Sequence, residues 1–455
     1  MNAETVLPAA ASGVPPSTGR WKRYPAYQDS GVEWLGKIPE HWAVKRLKNM
    51  AVMNPDSLGE TTPPDYQLLY VDITNVDLNG NLLDMEDLRF EDAPTRARRR
   101  VKHGDTIIST VRTYLKAIAL INQPPDNLIV STGFAVLRPC GDVHPNYLSR
   151  LVQAEPFIQA VVAYSEGVGY PAISPSRLAS LRVWLPPLPE QRAIADFVDR
   201  EAAKIDVLVA KRERLIDLLQ ERRAAVIAHA VTKGLDPNAP MKDSGIAGLG
   251  KIPAHWGVKR LKWVTAAHKQ GYYTEQLYAD DGVKLARISD IDDFGNVCFN
   301  SMPFLDLSAS DERAFHLKEG DFLFARSGTI GRFGLVRNRE RAVFASYLIR
   351  FRFKQVEPEF MRFALASKVF RESLISALHG GANQNVHAEN IKEQSLAFPP
   401  LPEQRDIASF LEQETAKIDV LINRIRDQLG KLREYRTALI SAAVTGKIDV
   451  REEAA

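Results

Sequence analysis

The chain of 455 residues has only two cysteines, Cys140 and Cys298. Two thiols exclude a disulfide framework and any multi-cysteine zinc site, and both are expected to be inert packing residues. A reducing cytoplasm is the expected compartment. Charge of one sign is lacking too. The chain carries 59 Lys and Arg against 56 Asp and Glu, a net +3, so any basic surface must be local. No apolar run approaches the ~20 residues that span a bilayer. The first 20 residues, MNAETVLPAAASGVPPSTGR, have neither the basic start nor the apolar segment of a signal peptide, and are expected to be a disordered tail.

Several chemistries are missing as motifs. No G-x-x-x-x-G-K-[ST] phosphate loop occurs. Pro-Pro follows only Val14, Thr62, Gln123, Leu185 and Phe398, so the Asn/Asp-Pro-Pro-aromatic signature of an adenine methyltransferase is absent, as is its glycine-rich cofactor turn. No D-x-K or E-x-K of a metal-dependent nuclease exists in the chain. The nine histidines show no metal spacing on a helix; His41 and His255 each precede Trp and are expected to be buried rings bonded to backbone. No catalytic residue, metal or cofactor is therefore expected in the chain itself.

What is present is a tandem duplication. GVEWLGKIPEHWAVKRLK (Gly31–Lys48) returns as GIAGLGKIPAHWGVKRLK (Gly245–Lys262), with 13 of 18 positions identical. PPLPEQRAIADFVDREAAKIDVL (Pro186–Leu208) returns as PPLPEQRDIASFLEQETAKIDVL (Pro399–Leu421), with 17 of 23 identical. The segments between, Asn49–Leu185 and Trp263–Phe398, differ from each other apart from a few anchors such as His103-Gly104-Asp105 and Glu319-Gly320-Asp321. A frame kept twice implies two equivalent docking positions for one partner; two different inserts imply two different ligands.

After each Pro-Pro pair the pattern becomes helical. From Glu190 to Val231 there is no Pro or Gly, and apolar residues recur at three, four and seven, from Ile194, Phe197 and Val198 to Val226 and Ile227. Gly234 is a C-terminal stop. The second copy starts at Pro402-Glu403, runs from Ile407 to Ile440 and stops near Gly446. A helix of this length cannot hide its apolar stripe alone, and the simplest partner for each is the other, antiparallel. Two separate core helices are the alternative.

Both inserts read as mixed α/β. Tyr66–Thr74, Asp105–Thr110, Lys116–Ile121 and Gly133–Pro139 are expected strands in the first; Gly282–Ser289, Gly320–Arg326, Phe333–Asn338 and Ser346–Phe353 match them in the second. A helical stretch follows each, Asn146–Ala163 and Glu359–Leu378, then a glycine-bearing loop, Ser165–Ser174 or His379–His387. The boundaries expected are a tail (1–20), a first insert domain (21–185), a first helix (186–234), a second insert domain (235–398), a second helix (399–446) and a short tail (447–455).

The remaining chemistry is binding chemistry. Arg96, Arg98, Arg99, Arg100 and Lys102 place five cations within seven residues, and Arg112, Tyr114 and Lys116 sit on a turn after a strand. The equivalent turn of the second insert carries Arg326, Ser327, Thr329 and Arg332 among glycines, which let a backbone approach a partner closely. Arginine grips phosphate or the O6/N7 edge of guanine; the amides of Asn383, Gln384 and Asn385 suit adenine; Tyr272 and Tyr273 add stacking. Each feature also has a plain reading: a solvated basic face, a hairpin, an ordinary turn. Their strength is that the basic turn and the glycine loop recur at matching places in both copies.

The doubled P-P-L-P-E-Q-R (Pro186–Arg192, Pro399–Arg405), the doubled A-K-I-D-V-L (Ala203–Leu208, Ala416–Leu421) and the doubled G-K-I-P-x-H-W (Gly36–Trp42, Gly250–Trp256) resemble the specificity subunit of type I restriction–modification systems, over about residues 21–450. The resemblance implies an α/β (α+β) fold: two target recognition domains joined by two long helices in an antiparallel coiled coil with pseudo-twofold symmetry. It implies that each domain reads one half of a split, asymmetric double-stranded DNA target and that the helices set the gap. Two methyltransferase subunits would dock on the repeated frame, with Glu190, Gln191, Arg192, Glu403, Gln404 and Arg405 as candidate contacts. S-adenosylmethionine would bind to those subunits, and ATP and Mg to restriction subunits; this chain would catalyse nothing and bind no cofactor. One departure stands out: Ser165–Tyr170 lacks the Gln and Asn of the second loop, so amide reading does not carry over to the first domain. A coiled-coil interaction scaffold, a stand-alone DNA-binding regulator and an enzyme with a cryptic site stay open as alternatives.

Overall fold

The computed structural model describes residues 21–452 apart from 168, 247, 276, 328–330 and 379–384. The chain divides into two compact units, 1–212 with 426–455, and 213–425. Each therefore takes part of both long helices rather than ending where a helix begins.

In the first unit the chain runs β1 (Tyr27–Asp29), β2 (Lys37–Pro39), β3 (Ala43–Arg46), β4 (Ala51–Met53), β5 (Gln67–Val71), β6 (Glu86–Arg89), β7 (Ala97–Arg100), β8 (Thr106–Ser109), β9 (Ile118–Leu120), β10 (Leu128–Ser131) and β11 (Phe134–Pro139). Then come α1 (Pro145–Gln153), α2 (Glu155–Ala163), α3 (Pro175–Ser180), β12 (Arg182–Leu185) and the start of α4 (Leu188–Lys233). Two four-stranded sheets, β6-β5-β10-β7 and β4-β11-β8-β9, hold the insert, and two-stranded pairs β1-β2 and β12-β3 hold its ends. The four expected strands are all present, within three residues at either end. The expected single helix is two, because Pro156 at the second position of α2 bars a continuous hydrogen-bond ladder and Ala154 turns extended between them.

The second unit runs from the end of α4 through β13 (Met241–Asp243), β14 (Lys251–Pro253), β15 (Gly257–Arg260), α5 (Leu261–Val264), β16 (Thr265–Gln270), β17 (Val283–Ala286) and β18 (Phe304–Leu305). It continues through α6 (Ala309–Phe315), β19 (Phe322–Ala325), β20 (Phe333–Leu335), β21 (Ala342–Phe344) and β22 (Leu348–Phe353), then α7 (Pro358–Ala366), α8 (Lys368–Ser376), α9 (Ala388–Lys392), β23 (Ser395–Phe398) and the start of α10 (Leu401–Val444). Its sheet β16-β22-β19-β20 repeats the order of β4-β11-β8-β9, and β15-β23 repeats β3-β12. The other sheet differs. It has three strands, β18-β17-β21, and α6 precedes β19 where the first unit has strand β7 before β8. The helical stretch again breaks in two, here at Ser367, whose hydroxyl caps α8 by accepting from Phe370 N.

Both long helices end within two residues of the limits read from the glycines. Within the first unit Ile194, Phe197, Val198 and Ile205 of α4 share a core with Leu439, Ile440, Ala443 and Val444 of α10, so the two segments run antiparallel. Asp206 of the A-K-I-D-V-L block accepts from Arg436 Nε at 2.9 Å. Within the second unit Ile227, Ala230 and Val231 of α4 share a core with Ile407, Ala408 and Leu411, and Asp419 of the other A-K-I-D-V-L block accepts from Arg223 Nε at 3.1 Å. Each repeat's aspartate thus pairs with the other repeat's arginine.

The frame itself explains the helix starts. Glu190 is 6% exposed and accepts hydrogen bonds from Tyr24 Oη and from Trp42 Nε1 at 3.1 Å, with His41 Nε2 at 2.7 Å. Glu403 accepts from Trp256 Nε1 at 3.0 Å, with His255 Nε2 at 2.8 Å. Gln191 accepts from His144 N and donates to Asp142 O and Pro186 O; Gln404 accepts from Glu357 N and donates to Pro399 O. His41 and His255 are therefore half-exposed partners of a carboxylate, not buried rings bonded to backbone, because the acid that each meets arrives from a helix some 150 residues on. Cys298 is exposed and Cys140 half-buried, so neither is a core residue.

Gly446 and Gly234 close the helices at φ +71° and +74°. A Cβ on Gly446 would lie 2.4 Å from Pro39 Cδ, whereas on Gly234 it would lie 3.3 Å from Trp256 Cζ2. Both alanine substitutions cost the left-handed penalty of about 1–2 kcal/mol, and Gly446→Ala adds an overpacking cost of about 1–3 kcal/mol. Urea midpoints of the two variants should separate in that order.

Candidate nucleic-acid interface

The turn after β8 is held in a conformation that costs energy elsewhere in a protein. Arg112 and Lys116 flank the short turn Thr113–Leu115 with φ of +50° and +52°, in the left-handed region that a side chain seldom adopts. The glycine loop meets this turn. Ile173 N donates to Thr110 O at 2.8 Å, Glu166 and Ala172 exchange two backbone hydrogen bonds of 2.9 Å, and Thr113 and Ser165 share a hydroxyl contact of 3.0 Å. The Arg112 guanidinium lies 4.8 Å from the centre of the Tyr170 ring, which is 68% exposed, and Tyr114 is 52% exposed. Arg112, Tyr114 and Tyr170 thus present one cation and two aromatic rings from two loops. Lys116 leaves this group and pairs with Glu155 at 2.9 Å. Burial works to raise the Glu155 pKa, but the bonds from Lys116 and Gln159 outweigh it and hold the carboxyl below its ordinary value.

The basic run is not one patch. Side chains alternate along a strand, and β7 carries the middle of the run. Arg98 covers Phe90 at 4.5 Å and Arg100 covers Tyr66 at 5.8 Å, while Arg99 points to the other face, its Nε buried without a hydrogen-bond partner and its pKa lowered by that burial. Arg96 is paired with Asp72 and donates to Tyr70 Oη at 3.0 Å. Its carbonyl accepts from Thr132 N, and Gly133 O accepts from Thr110 N, so the Arg96 end of β7 reaches the Arg112 turn through one short loop. Lys102, exposed, lies beyond the far end of the strand.

The second unit makes the same junction with other residues. Val386 N donates to Arg326 O at 2.7 Å, the counterpart of Ile173 on Thr110, and Arg326 N donates to Tyr347 O at 2.9 Å. Arg326 is half-buried; Ser327 and Asn385 are exposed. Arg332 does not join them, since its guanidinium is bonded to Asp293 at 2.8 Å and to Ile291 O. Tyr272 bridges to Ala345 and stacks edge-on against Phe315 at 5.3 Å, a packing role, whereas Tyr273 is 69% exposed beside it and donates to Glu275. Thr329, Asn383 and Gln384 lie outside the described residues.

Sequence reasoning missed Tyr347 and did not single out Tyr170 within its loop. A tyrosine in a loop that also carries Gly and follows an arginine turn is a usable signal, but its proximity to that turn is a tertiary fact. Of the frame residues proposed for docking, Gln191 and Gln404 are buried and, like Glu190 and Glu403, committed to internal bonds; Arg192 and Arg405 are exposed. Exposed instead are apolar side chains of the doubled A-K-I-D-V-L: Val207 and Leu208 at 53% and 47%, Val420 and Leu421 at 50% and 46%.

Two units that share one four-stranded sheet order and one frame, each joining an arginine-bearing turn to a second loop, define a duplicated protein with two unlike inserts. The family model described as "Type I restriction modification DNA specificity domain" matches residues 73–215 and 255–431. The chain belongs to this family of type I restriction–modification specificity subunits. It is 24% identical over 432 residues to the EcoKI specificity subunit of Escherichia coli K12, covering 91% of this chain and 90% of that one. It is 24% identical over 444 residues to the putative MjaX specificity subunit of Methanocaldococcus jannaschii, covering 92% and 96%. Among solved structures, a chain from a study of complex assembly and conformational transition of the type I R-M system superposes with a TM-score of 0.71 at 21% identity, covering 90% of this chain and 98% of that one. The HsdS subunit of Thermoanaerobacter tengcongensis gives 0.50 at 21% identity, covering 92% and 100%. The expected mixed α/β architecture with two recognition domains and long antiparallel helices is the fold found. No helix among the described residues is long and apolar enough to cross a membrane.

Proposed function

We propose that each unit reads one half of a bipartite, asymmetric DNA target, and that α4 and α10, each of which passes through both units, set the gap between the halves. The observation that supports this most is the doubled junction of arginine turn and loop, built on one backbone pattern with different side chains: Arg112, Tyr114 and Tyr170 in one copy, Arg326, Ser327, Tyr347 and Asn385 in the other. Equal frames with unlike contents suit two different half-sites. Arginine reads guanine or holds phosphate, and exposed tyrosines stack or fill a groove.

Two methyltransferase subunits dock, on this reading, on the repeated exposed faces around Val207-Leu208 and Val420-Leu421, with Arg192 and Arg405 beside them. Apolar side chains at matching exposed positions in both copies are what two copies of one partner require. Methyl transfer and its S-adenosylmethionine belong to those partners, ATP- and Mg-dependent cleavage to restriction subunits, and this chain contributes recognition alone. With nearly balanced charge, the isolated chain binds duplex weakly.

Methylation mapping at single-molecule resolution, in cells carrying this chain with its methyltransferase partner, should return one split, asymmetric motif. Marks at one continuous palindrome, or a footprint made tightly by this chain alone, would count against the reading. Inserting four helical residues after Arg214 and four after Asp427 adds about 6 Å of rise to each helix, and should lengthen the gap by about one or two base pairs without altering either half.

A further inference from the structure

The second unit contains a cleft of about 410 Å³ away from the recognition loops, with Arg350 and Arg352 of β22 on one side and Arg313, His316 and Lys318 on the other. Its lining residues His316 and Lys318 precede the start of β19, whereas Arg326 and Ser327 leave the other end of that strand.

The charge around it is unbalanced. Glu312, the acid on its wall, is taken by Arg341 through two bonds of 2.8 and 2.7 Å. Asp321, 2% exposed, is taken by Arg352 Nε at 2.7 Å and Nη2 at 3.1 Å and by the Lys318 amide at 2.9 Å. Arg350 has only the weaker, long-range share of Asp321, and its guanidinium lies 5.3 Å from the centre of the Phe344 ring. Its side chain is 8% exposed, its Nε is 3.9 Å from Asp321 and makes no hydrogen bond, and one Nη donates to His316 O at 2.9 Å. Burial and the neighbouring Arg352 lower its pKa. Arg313 and Lys318 are exposed and have no ion-pair partner among the described residues.

The first unit is the control. There Arg138 pairs with Asp105 as Arg352 does with Asp321, and Leu137 faces Thr106 as Phe351 faces Phe322. The position of Arg350 is then Val136, fully buried in an apolar core. A fold that is satisfied by valine does not need a buried guanidinium with an unpaired donor, which is costly to bury. Such a side chain is explained by a ligand that supplies the missing negative charge. Arginine's planar fork matches the oxygens of a phosphate, and the exposed Arg313 and Lys318 add charge at the mouth.

We propose that this cleft is a phosphate-binding site in which Arg350, Arg313 and Lys318 hold the anion. The shared chemistry is a phosphate group, offered either by a DNA backbone or by a free phosphate. The proposal does not depend on what the recognition loops bind.

The test uses the full chain and inorganic phosphate against chloride at matched ionic strength, read by calorimetric titration. Wild type should bind phosphate at millimolar concentration, and both Arg350→Val, the residue of the first unit, and the surface pair Arg313→Ala with Lys318→Ala should weaken it at least tenfold. Should Arg350→Val not fold, the surface pair decides. Salt dependence of duplex binding separates the sources. If a backbone phosphate is the ligand, the Arg313→Ala/Lys318→Ala chain should lose about one to two from the slope of log K against log salt; an unchanged slope with phosphate binding lost identifies a free phosphate. Phosphate binding no tighter than chloride, or unaffected by either variant, together with an unchanged slope, overturns the proposal.

Discussion

Replacing Glu190 by alanine should destabilise the first unit by about 3–5 kcal/mol. The carboxylate is 6% exposed and is the acceptor for Trp42 Nε1 and Tyr24 Oη. Its loss strands two buried donors, at about 1–3 kcal/mol each, and removes the charge facing His41. Glu403→Ala should cost less, about 1–3 kcal/mol, because that carboxylate is itself 29% exposed and its loss strands one buried donor, Trp256 Nε1, with no counterpart of the Tyr24 bond. Denaturant titration followed by tryptophan fluorescence checks both, and equal losses would show that the Tyr24 bond adds nothing. The same cluster has an alkaline signature. Burial first, and then the Glu190 bond, push the Tyr24 phenol well above its ordinary value. A group raised in the folded state contributes stability fully below its unfolded pKa of about 10, and that stability falls as pH climbs past it. Tyr24→Phe should flatten that limb.

Exchanging 49–185 for the corresponding insert of a relative with a different target should change one half of the methylated motif completely and leave the other half and the gap untouched. The exchange keeps β1–β3, the Glu190 cluster, both long helices and the whole second unit. It replaces the Arg112 turn, the Tyr170 loop and β7. Each mismatched base pair costs about 1–3 kcal/mol, so a half-site of three to four bases carries several powers of ten in preference. Methylation of the old sequence should fall below detection. Survival of the old motif would mean that the recognition surface lies outside the insert. A change in both halves would mean that the two units do not read independently.

Much of this was legible in the residues. Helix limits followed from glycine and proline punctuation and a 3.6-residue apolar period, which are local properties, and α4 and α10 end close to where those signals put them. The strands were legible because buried β-segments such as FLFA and FAVLRP are short, largely apolar runs next to turn residues. The shared Glu-Gln-Arg was visible as repeated but not as structural. Its acid meets partners 148 and 149 residues earlier in the chain, a distance no local pattern reports. The basic run looked like one patch, but alternation along β7 sends its members to opposite faces. Arg332 looked like part of the recognition turn, but Asp293 of another loop claims it.

Composition and repetition alone determined that this is a doubled, disulfide-free chain of two unlike α/β inserts, each followed by a long helix, because duplication and helical period are written in neighbouring residues. Tertiary structure decided which charges are spent and which are free. Glu190 and Gln191 turn inward, Arg112 meets Tyr170 across a loop junction, and Arg350 keeps only a long contact to Asp321 where the sister unit buries a valine. The reason is that a charge is neutralised by whatever lies within a few ångströms, and long-range strand pairing and helix docking, not sequence adjacency, choose those neighbours.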